Sequence, residues 1–518
     1  MKTHQKVKVV TLFETSSTIS ECSTQSHHAY SFYVPDGVSK LHLSFQYAPD
    51  LLEDLDKART IVASTLEFYE GSYENESIEK YLPLRNLLTV SVDDPEQFRG
   101  ACHRWASNQQ LFLSHDEASP GLLNGSIQQG LWTVTISAHA IVTETCTYKL
   151  QIQGEREEEE EGGHYPWKKK TLQQDFHTVQ RNISFNHYEI TERLWVACEL
   201  HAHTYHSDGK QTLGEMAAEA KRLGIEYVAV TDHNTTSPLQ EKETVEDKTG
   251  IKIINGLEWT TFYGHMLTLG YRTAQYTDWR KVGPTNLKKG IKEVHDLGAL
   301  AGIAHPFRIG NPVGTGCHWE FEMDCIEDFD YLEVWNGEAP STRLYNQKAY
   351  ELWTNLLNKG YRIPATSGRD WHENRGDDPL VAITYLHVPK GNDGEPDLLQ
   401  SIREGRISVS MGPLLELSVF DGKDNYTVGD CINKKDIDYR FRVNVKPAER
   451  EIDRIDETSL TIKLVSNLGV IEESPIGYKS LEMSFFSDDV TWVRAELSGK
   501  IDNVERLIGF TNPVYFTH

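Results

Sequence analysis

Between residues 28 and 152 apolar side chains return at every second position. Leu41, Leu43, Phe45 and Tyr47 alternate with polar residues, as do Trp132, Val134 and Ile136, and then Tyr148, Leu150 and Ile152. A period of two is that of a strand with one buried face, and turn signals such as Pro35-Asp36-Gly37 and Ser119-Pro120-Gly121 separate the runs. The expected architecture over 1–165 is a β-sandwich.

From 191 to 413 the pattern changes to strand, loop and helix, repeated. LWVACELH reads as a strand, Thr212 and Glu215 form a capping box, EMAAEAKRL is an amphipathic helix stopped at Gly224, and YVAVTDH is a second strand. The theme recurs in KIINGLEW, in LKKGIKEVHDLG before ALAGIAHP, in DYLEVWNG, and in TRLYNQKAYELWTNLLNKG before YRIPATSGRD. Alternating β and α elements predict a parallel sheet, open or closed into a barrel. After 414 the alternation of two returns in Tyr439, Phe441, Val443 and Val445 and in Leu460, Ile462 and Leu464, predicting a small C-terminal β domain over 414–518. The run EREEEEEGG (155–163) and Lys168 to Lys170 carry too little apolar surface to pack, so 166–190 is expected to be a charged linker. No repeat of solenoid period is present.

Length and composition narrow the function classes. A chain of 518 residues exceeds a single core, so several domains are expected. No apolar run approaches the ~20 residues of a membrane helix, and the N-terminus shows no export signal. Seven scattered cysteines without a CxxC pair argue against a disulfide framework and a thiolate metal site, and fit a cytoplasmic location. The net charge of −25 repels phosphate backbones, so a nucleic-acid polymer is not the expected partner. A small-molecule substrate is, with self-association left open, and a phosphate-bearing one must be drawn in by local metals or arginines.

The ends of the central strands carry the candidate chemistry. His201 and His203 follow the first strand, Asp232 and His233 the second, Glu258 the third; His305 ends ALAGIAHP, and Asp370 and His372 end IPATSGRDWH. In a β/α barrel the C-terminal strand ends converge on one face, so ligands far apart in sequence can meet there. His201-Ala-His203 and Asp370-Trp-His372 have the i, i+2 spacing that puts both side chains on one side of an extended segment. Burying so many ionisable groups unpaired is costly, which points to divalent metal ions. Imidazole and carboxylate without thiolate suit zinc, manganese or iron(II). Arg308 and Arg369 lie where a guanidinium reaches a bound phosphate or carboxylate, and Asn336 ends another strand on the same face.

Together, HAHTYHSDG (201–209), TDHN (231–234), GLEW (256–259), AHP (304–306) and SGRDWH (367–372) resemble the PHP family, named for polymerase and histidinol phosphatase domains. The flanking β regions, including TNPVYF, resemble its carbaryl-hydrolase-like branch. The resemblance implies an α/β chain with a distorted (β/α)7 barrel, flanked by the N-terminal β-sandwich and the small C-terminal β domain, and two or three divalent metal ions. It implies that His201 and His203 bind a first metal with Asp370, and that Glu258 bridges to a second held by His305 and His265. A third would sit with Asp208, His233 and His372. Asp208 stands where many relatives have histidine, and His265 is assigned from its position after Glu258. His206, His295 and His318 fall outside the motifs.

The implied activity is a phosphoesterase acting on a small phosphate ester through a metal-activated hydroxide, with Glu258, Asp370, Arg308 and Arg369 as catalytic residues. Two alternatives follow: a carbamate, ester or amide hydrolase on the same metals, or a non-catalytic binding protein, against which the complete ligand set counts.

Overall fold

The structure is a computed structural model that describes residues 7–69, 77–157, 193–271, 278–375, 380–391, 394–435, 437–447, 454–476, 479–485 and 488–517. The expected linker, 166–190, lies outside the described residues.

Eight strands form the N-terminal region: β1 (Val7–Ser20), β2 (Ser26–Val34), β3 (Val38–Ala48), β4 (Leu87–Asp93), β5 (Phe98–Cys102), β6 (Asn108–Ser114), β7 (Gly130–Ala140) and β8 (Thr145–Glu157). They make two four-stranded antiparallel sheets, ordered β1-β8-β3-β6 and β2-β7-β4-β5. The alternation in the sequence sends Leu41, Leu43 and Phe45 of one sheet and Trp132, Val134 and Ile136 of the other into one shared core. Helix α1 (Leu55–Phe68) interrupts the strands and is capped by Asp54, whose carboxylate accepts from the N–H groups of Asp56 and Lys57.

The central region runs β9 (Arg193–Ala202), α2 (Leu213–Arg222), β10 (Tyr227–Val230), α3 (Lys242–Thr249), β11 (Lys252–Thr260), β12 (His265–Leu269), α4 (Leu287–Asp296), β13 (Leu300–Ile303), β14 (Tyr331–Asn336), α5 (Leu344–Asn358), β15 (Ala365–Gly368), β16 (Ile383–Pro389), α6 (Glu395–Arg403) and β17 (Ile407–Ser410). The capping box opens α2 as the spacing predicts. The strand order is β15-β14-β13-β12-β11-β10-β9-β16-β17.

This sheet is mixed where α/β alternation predicts a parallel one. The pairs β9/β10, β10/β11, β13/β14 and β14/β15 are parallel, whereas β11/β12, β12/β13, β9/β16 and β16/β17 are antiparallel. The reason at β12 is chain length. Only residues 261–264 separate it from β11, enough for a hairpin and far too few for a crossover helix. Among the described residues no ladder joins β15 to β9. An isolated bridge between Ala202 and Trp371 brings these ends together, with the Trp371 N–H donating to the His201 carbonyl (3.1 Å) and the His203 N–H to the Trp371 carbonyl (2.8 Å).

The C-terminal strands divide: Leu414–Phe420, Asn425–Thr427, Tyr439–Lys446 and Ser480–Phe485 form a separate four-stranded antiparallel sheet, and others continue the central one. The strand Val504–Thr511 pairs antiparallel with β17 and with the strand Trp492–Ile501. In TNPVYF, buried Asn512 accepts from the Ala365 N–H and donates to the Ala365 carbonyl, both at 2.8 Å, and so fixes the start of β15. No helix among the described residues is long and apolar enough to cross a membrane.

Candidate metal centre

All nine side chains expected as metal ligands converge. His203, Asp208, His233 and His372 form one group whose ligand atoms lie within 4.8 Å of one another. Three further groups, His201/His203/Glu258, His201/His305/Asp370 and His233/Glu258/His265, meet the same limit. The groups share members, so they form one continuous cluster.

Glu258 stands in its middle, on buried β11. One carboxylate oxygen faces His265 Nδ1 (3.0 Å), His305 Nε2 (3.2 Å) and His201 Nε2 (3.4 Å); the other faces His233 Nδ1 (2.8 Å) and His203 Nε2 (3.5 Å). Asp370 Oδ1 lies 3.1 Å from His203 Nε2 and 3.4 Å from His201 Nε2, while its Oδ2 accepts from Arg308 Nη1. Asp208 Oδ1 faces His372 Nε2 (3.1 Å) and His233 Nε2 (3.4 Å).

Local backbone geometry aims these groups. His305 (φ 25°), Asp370 (φ 53°) and Asn234 (φ 54°) take positive φ, a conformation that costs a non-glycine residue of order 1–3 kcal/mol. At each point the chain turns sharply out of a strand end. Behind the cluster Gly368 is required for space: a Cβ there would lie 2.3 Å from His201 Cβ and 2.4 Å from Glu333 Oε1.

Electrostatics keep the carboxylates ionised. Burial opposes charge on Asp208, Glu258 and Asp370, but the neighbouring imidazoles outweigh it and hold all three below the usual carboxylate range. Burial, with His372 and His233 alongside, pushes His203 down to about 3. In His372 burial works the same way, yet Asp208 and Asp370 prevail and raise it to about 10.

The donor set fits divalent metal ions. His201 Nε2, both ring nitrogens of His203, Asp208 Oδ1, Glu258 Oε2 and His305 Nδ1 are buried without a hydrogen-bond partner. Leaving one such atom orphaned costs about 1–3 kcal/mol, so their concentration at one place calls for cations. Imidazole with carboxylate and no thiolate is the chemistry of zinc, manganese or iron(II).

Other candidates take different places. Asp232 accepts from the N–H and hydroxyl of Thr204 and of Ser207 (2.7–3.1 Å), so it holds the 204–207 loop from behind. Arg369 is buried, stacked 4.7 Å from the Trp371 ring and bound to Glu338 (2.8 Å). The Arg308 side chain is 37% exposed, enough to meet a ligand. Asn336 donates to Glu333 (3.1 Å). His206 bonds Ser237 and Glu241, His295 bonds Asp330, and His318 packs at a tilt against Tyr69 and bonds the Arg308 carbonyl; none of the three belongs to the clustered groups.

Two carboxylates escaped the motif reading. Glu333 accepts from His201 Nδ1 (2.9 Å), from the His305 N–H (2.9 Å) and from Asn336, which fixes the His201 tautomer and turns its Nε2 toward the cluster. Glu199, raised to about 7 by burial, accepts the N–H groups of His201 and Arg369 (both 2.9 Å). The available signal for Glu333 was a lone charge inside the apolar run YLEVW.

The cluster opens into a cavity of about 730 Å³. Its wall carries six cationic side chains, Lys80, Lys210, Arg308, Arg343, Arg369 and Arg375. Outside the cluster the acids in that wall are Glu338 and Glu373, in a chain whose overall charge is −25.

Comparison with known proteins agrees with the motif reading. Residues 199–302 match the model of the PHP domain. A phosphoribosyl 1,2-cyclic phosphate 1,2-diphosphodiesterase of Eggerthella lenta is 30% identical over 64 residues, 12% of this chain, and the alignment spans only 24% of that relative's length. An uncharacterised protein of Methanocaldococcus jannaschii is 26% identical over 144 residues, 26% of this chain and 80% of its own. A crystal structure from Bacteroides vulgatus, a two-domain protein containing a predicted PHP-like metal-dependent phosphoesterase, aligns at 13% identity and a TM-score of 0.37 over 62% of this chain and 96% of its own.

Proposed function

We propose that this protein is a metal-dependent hydrolase of phosphate esters, with the active site at the cluster between His201 and His372 and the strands that carry it acting as a distorted (β/α)7 barrel. The observation that carries the reading is the coincidence of nine metal-ligand side chains, several with orphaned atoms, with a cavity walled by cations. Anionic ester oxygens satisfy such a wall. A wall in which cations outnumber the acids outside the cluster attracts an anionic ester more than a neutral carbamate, so the phosphate reading is preferred.

The site would hold two or three divalent ions of zinc, manganese or iron, with His201, His203 and Asp370, then Glu258, His265 and His305, then Asp208, His233 and His372 as the residues that would bind them. When bound, such ions acidify a water and offset charge on the substrate's oxygens. Glu258, which faces imidazoles with both oxygens, would be shared between two of them. Asp370 links the cluster to Arg308, whose position is thereby set at the cavity wall. From there the guanidinium donates to a substrate oxygen, a charge-assisted bond stronger than a neutral one. Arg369, held by Glu338 and Trp371, contributes positive potential from the same wall.

Glu258→Gln tests the reading. The substitution keeps the shape and removes the charge that both halves of the cluster face, so hydrolysis of an aryl phosphate should fall at least 100-fold with the far-UV circular dichroism unchanged. Activity near wild type would show that Glu258 is not shared.

A further inference from the structure

The cavity is built by two parts of the chain. Lys80 and Tyr81, on the short helix Ile78–Tyr81, and His103 and Trp105, in the loop between β5 and β6, line it from the N-terminal region, together with the cluster residues Asp208, His233, His265, His305, Asp370 and His372. We propose that Trp105 recognises the alcohol side of the substrate, and that this side carries a planar ring. The inference rests on the phosphoesterase reading and specifies its substrate class.

Three observations support it. First, the metal cluster and Arg308 satisfy an anionic ester group, and a volume of about 730 Å³ lies within the range of pockets that enclose whole drug-sized ligands rather than a phosphate alone. Second, Trp105, 43% exposed, is the one tryptophan among the described residues that is exposed rather than buried or half-buried, and it lines the cavity. An apolar ring left open to water beside a metal cluster has a ligand to gain by covering it.

Third, the segment that bears Trp105 is fixed to the cluster's own loops. Arg104 Nη2 donates to the carbonyls of Pro120 (2.6 Å) and His206 (3.1 Å), and the ring of His103 lies 4.6 Å from that of His233. Gly121 donates its N–H to Ser237 Oγ (3.0 Å) and accepts from Thr235 Oγ1 (2.8 Å). This contact needs glycine: φ is +95°, and a Cβ would fall 2.7 Å from the Ala101 carbonyl. Trp105 is thus held in register with the cluster before substrate arrives, which spares the ordering cost of a loose loop. The six cations of the wall supply the matching charge for the ester's anionic end.

Calorimetric titration of the manganese-loaded full chain with phenylphosphonate and methylphosphonate reads the ring without turnover. Phenylphosphonate should bind roughly tenfold tighter, the gain expected of one stacked ring. That preference should fall at least fivefold in Trp105→Ala and return in Trp105→Phe, which shows that any loss is of the ring and not of the fold. A preference that is absent from wild type, that survives Trp105→Ala, or that fails to return in Trp105→Phe overturns the proposal, as does a failure of both compounds to bind. Hydrolysis of phenyl phosphate by the same preparations tests the underlying reading separately. Ring preference without turnover defeats the phosphoesterase reading and supports the ring site; turnover without ring preference does the reverse.

Discussion

Glu333 is not part of the cavity lining, yet it accepts from His201, His305 and Asn336 together. In Glu333→Gln the new amide donor cannot satisfy both N–H groups, so metal affinity should fall about 10- to 100-fold. Metal titration of the wild-type and variant apoproteins measures it, and equal affinities would contradict this role. The arginines separate at the same scale. Arg308→Ala should cost about 2 kcal/mol in kcat/KM on an aryl phosphate, roughly 30-fold, with little change in melting temperature. Arg369→Ala should instead lower the melting temperature, because it removes a buried partner of Glu338 and the contact on Trp371. Comparable melting temperatures for the two variants would contradict the distinction. Eight of the nine clustered residues were legible because each ends a strand or sits in a short polar motif beside one; His265, which opens β12, was placed only by its position after Glu258. Glu199 and Glu333 were not legible, since a carboxylate within an apolar strand gives no sign of which backbone N–H groups it will meet. Asp232 has a ligand's residue type at a strand end but belongs to none of the assigned metal sets, and its carboxylate is taken up by the Thr204 and Ser207 hydrogen bonds.

Among the elements, β9 and β15 come closest at Gly368, where backbone passes directly behind His201. Gly368→Ala must push these strands apart, which should cost on the order of 2 kcal/mol and weaken metal binding with it. Urea unfolding and metal titration of the same variant check both; a fall in stability without a fall in metal affinity would break the link between strand spacing and site. The central helices and strands were readable from their periodicities, and the capping box at Thr212 and Glu215 placed the start of α2 correctly. Strand direction was not readable. β12 is antiparallel because four residues connect it to β11, and the sequence alone showed no strand at HMLTL to raise the question. The alternation at Tyr439–Val445 and Leu460–Leu464 was recognisable as strand, but the pairing of Val504–Thr511 with β17 and the contact of Asn512 with Ala365 are encoded by no local pattern.

At the scale of the whole molecule, the N-terminal sheets are fastened to the central region. Arg280 pairs with both carboxylate oxygens of Asp93 (2.7 Å each), Gln25 donates to the Phe262 carbonyl (2.9 Å), and buried His139 packs against His103, Phe262 and Trp279. Burial first, then neighbouring histidines, hold His139 well below 6.5. The unfolded chain therefore takes up a proton at His139 below pH 6.5 that the fold refuses, and stability should fall as the pH drops through that value. Melting temperatures between pH 7.5 and 5.5 should decline less steeply in His139→Phe than in wild type; parallel slopes would exclude His139 as a source. The alternation of the N-terminal strands showed that a core forms there, and nothing in it showed that the connections between those strands wall the cavity. The account as a whole depends on cations at the cluster, and elemental analysis tests this most directly. After chelation and re-incubation with zinc, manganese or iron(II), wild-type protein should retain at least two equivalents of one of these metals and the Glu258→Gln variant fewer. Less than one equivalent in wild type with all three metals would contradict the account.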